Sequence, residues 1–125
     1  MENNSLSYSE LLNHFIANSI FTEKQTSIIY NKVSRSKPSK KMTSGAYYRQ
    51  LGQCRTKTRK VVYTLLLLRL LSAVDTETFS VLDKLNNQLN VMLNKSSDEI
   101  DEIDATTLAN VISLLDNVIS KLVLI

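Results

Sequence analysis

The feature that most constrains the fold is a run of fourteen residues, 61–74, in which Arg69 is the one charged side chain. As a helix it would be apolar on nearly every side, and such a helix must be buried on more than one side. A chain of 125 residues forms one modest core and can hardly surround this helix by itself. The run is also too short to cross a bilayer, which takes about 20 apolar residues. We therefore expect residues 61–74 to pack against the rest of the chain and against a second copy.

The composition favours helices over strands. Two glycines and one proline are too few for the tight turns of a β fold, and hydrophobic periodicity predicts an all-α protein of about five helices. Ser7 and Glu10 have the spacing of a capping box, which marks a helix start. Thr22 and Gln25 repeat that spacing before the second helix. The first three predicted helices run from after Ser7 to about Asn18, from after Thr22 to about Val33 and from Thr43 to Leu71. The fourth has Asp75 or Thr76 as its cap and ends at about Asn94, and the fifth runs from about Ala105 to the C-terminus.

Positive charge is concentrated in one part of the chain. Residues 22–60 contain eleven basic side chains and a single acidic one, Glu23, which gives a local net charge of +10. Residues 1–21 carry −2 and residues 61–125 carry −5. This asymmetry indicates one segment that faces a polyanion.

The third predicted helix has two different faces. Running the helical period backwards from its apolar half defines a core stripe without any use of charge. That stripe contains Leu65, Val61, Thr58, Cys54, Leu51 and Tyr47. The opposite face then holds nearly all the charge and consists of Tyr48, Arg49, Gly52, Gln53, Arg55, Thr56, Arg59 and Lys60.

Gly52 lies in the middle of this charged face. A glycine inside a helix costs about 1 kcal/mol relative to alanine, so its presence asks for a reason. One interpretation is that the missing side chain lets the helix backbone approach a phosphate or a base edge closely. The other is a tolerated glycine or close packing on another helix, and both interpretations stay open at this point.

The connector before the third helix, residues 34–42, interrupts helicity at Pro38. Its Lys37, Lys40 and Lys41 have two interpretations. They bind backbone phosphates, or they belong to a solvated flexible loop.

No catalytic pattern is present in the sequence. There is no glycine-rich phosphate loop, nucleophile elbow or zinc-protease pattern, and a single cysteine excludes an internal disulfide. Cys54 lies on the core stripe, which favours a buried thiol over a redox sensor. His14 lies beside the apolar stripe of the first helix, which favours a partly buried or surface histidine over a metal ligand. Five carboxylates in residues 96–104 indicate an exposed acidic connector. We expect no enzymatic activity, no cofactor and no metal.

Two stretches resemble helix-turn-helix transcription regulators, namely FTEKQTSIIYNKV (residues 21–33) and MTSGAYYRQLGQCR (residues 42–55). More narrowly, residues 44–49 followed by Gln53 and Arg55 are similar to a group of small archaeal helix-turn-helix proteins. The resemblance covers about residues 7–72. The connector is longer than the usual three- or four-residue turn, and no β-wing follows the third helix.

The resemblance implies that the third helix is a DNA-recognition helix. Arg49 suits a bidentate bond to guanine and Gln53 suits adenine, so these two are the expected base readers. Ser44 and Tyr48 lie near the helix N-terminus, where phosphate or base-edge contacts are usual. The side chains expected to hold phosphates are Lys37, Lys40, Lys41, Arg55, Lys57, Arg59 and Lys60.

The last predicted helix carries a heptad-like apolar seam, which suggests packing between subunits. We expect residues 1–60 to form a helix-turn-helix-like DNA-binding region and residues 61–125 a helical dimerisation region, within one compact domain. The expected dimer interface contains Leu66, Leu70, Leu108, Ile112, Leu115, Ile119 and Leu122.

The sequence therefore predicts a homodimeric, sequence-specific regulator that binds double-stranded DNA. Without a basic, apolar leader at the N-terminus, we expect it in the cytoplasm, associated with the nucleoid. Three alternatives stay open: a non-specific nucleoid or RNA-binding protein, an adaptor for an acidic protein, and, least favoured, a membrane-surface protein.

Overall fold

The protein is all-helical in the part of the chain that the structure, a computed structural model, describes. This part comprises residues 10–35, 42–99 and 105–125, with the backbone alone described for 92–99 and 105. It contains five helices and no sheet, as the sequence predicted. The helices are α1 (Glu10–Ala17), α2 (Glu23–Val33), α3 (Ser44–Leu70), α4 (Thr78–Glu99) and α5 (Ala105–Leu122).

Hydroxyl side chains begin α2 and α3. The Thr22 hydroxyl accepts a hydrogen bond from the Gln25 amide at 3.1 Å, and the Gln25 side-chain oxygen accepts one from the Thr22 amide at 3.3 Å. This reciprocal pair confirms the predicted capping box. Thr43 caps α3, because its hydroxyl accepts from the Ala46 amide at 3.1 Å. The predicted cap at Ser7 lies outside the described residues.

The chain divides into two compact units. The N-terminal unit is Leu12–Leu65, and the C-terminal unit is Leu66–Ile125 together with Glu10 and Leu11. The division falls inside α3, five residues after the predicted boundary at residue 60.

The core of the N-terminal unit forms between α2 and α3. Ile28 of α2 is buried with Tyr47, Leu51 and Cys54 of α3, and Ile29 and Met42 pack against this cluster. The first half of the predicted core stripe is therefore confirmed.

The prediction that the second half of the stripe is also buried is wrong for the single chain. Thr58 and Val61 are exposed, and Leu65 is half-buried. α2 has eleven residues and is about 16 Å long, so it covers only the first turns of the 27-residue α3.

The C-terminal unit is closed by a short backbone pairing. Val74 and Val123 form an isolated antiparallel bridge, and the Asp75 amide donates to the Leu122 carbonyl at 2.9 Å. The sequence predicted that the last helix continues to the C-terminus, but α5 ends at Leu122. The residues that follow Leu122 pair with those before α4, which stops the helix.

α4 begins and ends later than predicted. The Asp75 side chain accepts a hydrogen bond from the Glu77 backbone amide at 2.8 Å, and the Asp75 carbonyl accepts one from the Thr78 amide at 3.0 Å. These bonds organise the turn before α4, and the helix begins at Thr78. At the other end α4 continues to Glu99, into the stretch predicted as an acidic connector. Residues 96–99 contain no glycine or proline that would stop a helix. Residues 100–104 lie outside the described part.

Candidate nucleic-acid interface

The exposed side of α3 within the N-terminal unit is a row of cations and polar groups, which we call the basic face. All its members are exposed, in agreement with the partition predicted from the sequence. The basic face consists of Tyr48, Arg49, Gly52, Gln53, Arg55, Thr56, Arg59 and Lys60.

The cations of the basic face are not neutralised by the chain around them. Within the described residues, Arg49, Arg55 and Arg59 make no hydrogen bond or ion pair with another side chain, and Lys60 makes none either. Each guanidinium therefore keeps its fork of N–H donors for an external acceptor. The only acidic residue described in the N-terminal unit is Glu23, at the start of α2. The unit thus presents a positive field along one helix face.

Two polar residues lie at the beginning of α3. Ser44 is exposed in the first turn, beside the Thr43 cap. Tyr48 is 67% exposed and its ring meets the ring of buried Tyr47 edge-on, with centroids 5.1 Å apart. The unpaired amides and dipole of a helix N-terminus favour anions, so this end of α3 suits the negative charge of a phosphate.

Gly52 faces open space. A Cβ placed on Gly52 would meet no atom within 4 Å, so the glycine is not required for packing against another described helix. Close packing of Gly52 on another helix, which was one interpretation of the sequence, therefore does not occur among the described residues. What is left is a tolerated glycine, or a backbone surface kept bare for a ligand.

Replacing Gly52 with alanine separates these two interpretations. We expect Gly52→Ala to raise the free energy of unfolding by about 1 kcal/mol, because it improves helix propensity at a site with free space. If the bare backbone is a contact surface, the same variant binds duplex DNA about tenfold more weakly despite being more stable, since a clash of 1–2 kcal/mol has that effect. Urea denaturation and a duplex titration measure the two quantities.

Thr56→Ala is the matched control for this variant. Thr56 is also exposed on the basic face, one turn further along α3, and the change leaves the backbone surface at Gly52 as it is. Unchanged affinity in Gly52→Ala, with the expected gain in stability, would show that Gly52 is merely tolerated.

Lys57 is placed differently from the other predicted phosphate ligands. Its ammonium donates to the Ile20 carbonyl at 3.0 Å and to the Gln25 side-chain oxygen at 2.7 Å, and lies 5.9 Å from the centre of the Phe21 ring. Two of its three donors are thus used inside the N-terminal unit. We therefore assign Lys57 a role in holding the segment before α2 against α3, and not a place in the basic face.

A buried glutamine links α2 to the basic face, and sequence reasoning missed this arrangement. Gln25 is 4% exposed. Its side-chain oxygen accepts from the Thr22 amide and from Lys57, and its side-chain nitrogen donates to the Gln50 oxygen at 3.3 Å and to the Gln53 oxygen at 3.4 Å. All four hydrogen bonds that a side-chain amide can make are present. The capping box had located Gln25, but no local pattern pointed to partners 25 and 28 residues away.

Cys54 is a free, buried thiol, as its position on the core stripe predicted. Its sulfur lies 3.7 Å from the Gln25 carbonyl, to which the thiol donates. Burial raises the pKa of the Cys54 thiol, and the nearby Lys57 opposes this only in part. A protonated, inaccessible thiol is a packing group.

The residues predicted for the dimer interface fall into two groups in the C-terminal unit. Leu115 and Leu122 are buried within the single chain, and Leu108 and Ile112 are half-buried, so these four stabilise the subunit itself. Leu66, Leu70 and Ile119 are exposed. They belong to a larger group, the exposed apolar set, which consists of Leu66, Leu67, Leu70, Leu71, Phe79, Leu82, Leu114 and Ile119.

In the described part of the chain, no group of three or more His, Cys, Asp or Glu side chains could hold a metal ion. None of the helices in that part combines the length and apolarity needed to span a membrane.

The predicted phosphate ligands Lys37, Lys40 and Lys41 lie outside the described residues. Comparisons with protein-family models, curated proteins and solved structures found no match to this chain.

Proposed function

We propose that this protein binds double-stranded DNA as a homodimer and regulates transcription. The observation that carries the proposal is the basic face of α3. Three exposed arginines without partners among the described residues line one side of a long helix, around a glycine that faces open space. The resemblance of the sequence to archaeal helix-turn-helix regulators also implies that α3 is the DNA-binding helix.

The dimensions of α3 suit a major groove. The groove of B-form DNA is about 12 Å wide and admits one α-helix, whose diameter with side chains is about 10–12 Å. In this placement Arg49 reads a base edge, because guanidinium groups bond guanine bidentately. Arg55, Arg59 and Lys60 hold phosphates, together with Lys37, Lys40 and Lys41 of the connector. Ser44 and Tyr48 contact the backbone beside the helix start.

A second copy of this chain covers the exposed apolar set. Soluble monomers rarely expose much large apolar surface. Here twelve large apolar side chains of the C-terminal unit are exposed, and the eight of the exposed apolar set are among them. Self-association also matches the proposed ligand, since a two-fold dimer binds two half-sites about 34 Å, or a multiple of that, apart. A dimer bound in this way associates with the nucleoid.

A non-specific nucleic-acid binder is the second candidate, because the same unpaired cations would serve it. Its affinity would come almost wholly from phosphate contacts and counterion release. It would therefore discriminate little between sequences.

Titration at two salt concentrations separates the two functions. A duplex selected for tight binding is compared with a mixed-sequence duplex of the same length, at 50 and 200 mM salt. We expect the selected duplex to bind at least ~10³-fold more tightly at the higher salt, as specific binders do. Equal affinities with a steep salt dependence would replace the regulator with the non-specific binder, and binding of neither duplex would remove both.

A further inference from the structure

We propose that Gln25 is a positioning residue that sets which way round the Gln53 amide is presented on the basic face. Gln25 holds the Gln53 oxygen and leaves the Gln53 NH₂ group facing outward. Gln53 then reads a base that offers acceptors, guanine, in place of the adenine predicted from the sequence. This inference rests on the proposed function and names the base that one residue of the site selects.

The orientation of the Gln25 amide is fixed by groups that can only donate. The Lys57 ammonium, 2.7 Å away, and the Thr22 backbone amide, 3.3 Å away, both face the same terminal atom of Gln25. Neither group can accept a hydrogen bond, so that atom must be the oxygen. The reverse orientation would bury an NH₂ group against an ammonium, in a side chain that is 4% exposed to water.

The orientation of Gln25 in turn fixes its neighbours. With its oxygen turned to Lys57, its NH₂ group points at Gln50 and Gln53. Each of these must offer an acceptor, which for a glutamine is the side-chain oxygen. One charge-assisted contact at Lys57 therefore determines, through Gln25, how an exposed residue on the basic face is turned.

The free end of Gln53 decides what it can read. Gln53 is exposed, and its NH₂ group makes no hydrogen bond with any other described residue. Adenine in the major groove needs both the oxygen and the NH₂ group of a glutamine, whereas guanine offers two acceptors, N7 and O6. An amide oxygen can accept two hydrogen bonds, so the preference comes from its direction. Gln25 turns the Gln53 oxygen toward α2 and leaves the NH₂ group outward, and this donor is matched to guanine.

Gln25→Glu tests the relay without dismantling the fold. A glutamate at this position keeps the capping box with Thr22 and gains an ion pair with Lys57. It offers only acceptors to Gln53, which must then turn its NH₂ group inward and its oxygen outward. We expect a wild-type preference for guanine of ~10-fold or more at one position of the site, from the usual size of a base contact, and a shift toward adenine or cytosine in Gln25→Glu.

Controls distinguish a base contact from a phosphate contact. Gln53→Ala should lose the preference at that one position, and adding Gln25→Glu to it should change nothing further. Replacing the selected guanine with 7-deazaguanine should weaken wild-type binding. Unchanged binding to the deaza duplex, with Gln53→Ala weakening all sequences equally, would mean that Gln53 holds a phosphate, which overturns the inference.

Side-chain amide NMR of the free protein reports the relay without DNA. The Gln25 NH₂ protons should exchange slowly with water in the wild type, and the Gln53 NH₂ protons should become protected only in Gln25→Glu. Duplex binding with the same base preference in wild type and Gln25→Glu would overturn this inference and leave the proposed function intact. If the wild type binds no duplex, both fail together, whatever the amide spectra show.

Discussion

Replacing Arg49, Arg55 and Arg59 together with alanine is expected to weaken duplex binding by roughly a thousandfold at 100 mM salt. A guanidinium that bonds a base edge contributes about 1–3 kcal/mol to binding, and one that bonds a phosphate contributes about one unit to the salt dependence. The slope of log K against log salt should therefore also become shallower by about two to three units. The three side chains are exposed and unpaired among the described residues, so the free energy of unfolding should change by less than about 0.5 kcal/mol each. Fluorescence anisotropy over a salt series measures affinity and slope together.

The matched control removes the same charge from elsewhere. Lys24 and Lys32 of α2 and Lys84 of α4 are also exposed, and their triple alanine variant has the same net charge as the arginine variant. We expect it to lose less than tenfold in affinity, because long-range attraction alone is largely screened at this salt concentration. Equal losses in the two variants would mean that overall charge binds the duplex and that the basic face of α3 has no special place.

Placing glutamates at Leu66 and Leu70 is expected to convert the protein from a dimer to a monomer at micromolar concentration. The two residues are one turn apart on α3 and are 54% and 82% exposed in the single chain. A dimer that covers them would have to bury four unpaired carboxylates, whose desolvation weakens association by at least about 100-fold. The isolated subunit should tolerate the change, since both side chains already face water. Sedimentation equilibrium gives the mass of each variant.

Val33→Glu controls for a general effect of adding charge to an exposed apolar position. Val33 is 77% exposed at the end of α2, in the N-terminal unit. This variant should sediment as a dimer like the wild type. A wild-type protein that sediments as a monomer at micromolar concentration would contradict the proposed interface outright.

Local signals in the sequence located most of the fold. The capping box at Thr22 and Gln25 predicted the start of α2, and the helical period predicted that Tyr47, Leu51 and Cys54 are buried. These features depend on neighbours within one or two turns, which a sequence displays directly.

Features that depend on a second element escaped prediction. Periodicity gave the direction of Val61 on α3 but not the length of the partner helix, so its exposure was missed. α5 ends early because Val123 pairs with Val74, which is distant in sequence. Among the candidate site residues, those of the basic face could be predicted from the helical period of α3 alone. The engagement of Lys57 and the relay through Gln25 required knowing how α2 lies on α3.

Selection of bound duplexes from a random pool tests the proposed DNA-binding function most directly. The dimeric regulator predicts enrichment of a palindrome whose half-sites are centred about 34 Å, or a multiple of that, apart. It also predicts that the enrichment disappears when Arg49 is replaced with alanine. A pool that binds tightly yet retains no common sequence, or one that is not retained at all, would contradict the assignment of α3 as a sequence-reading helix.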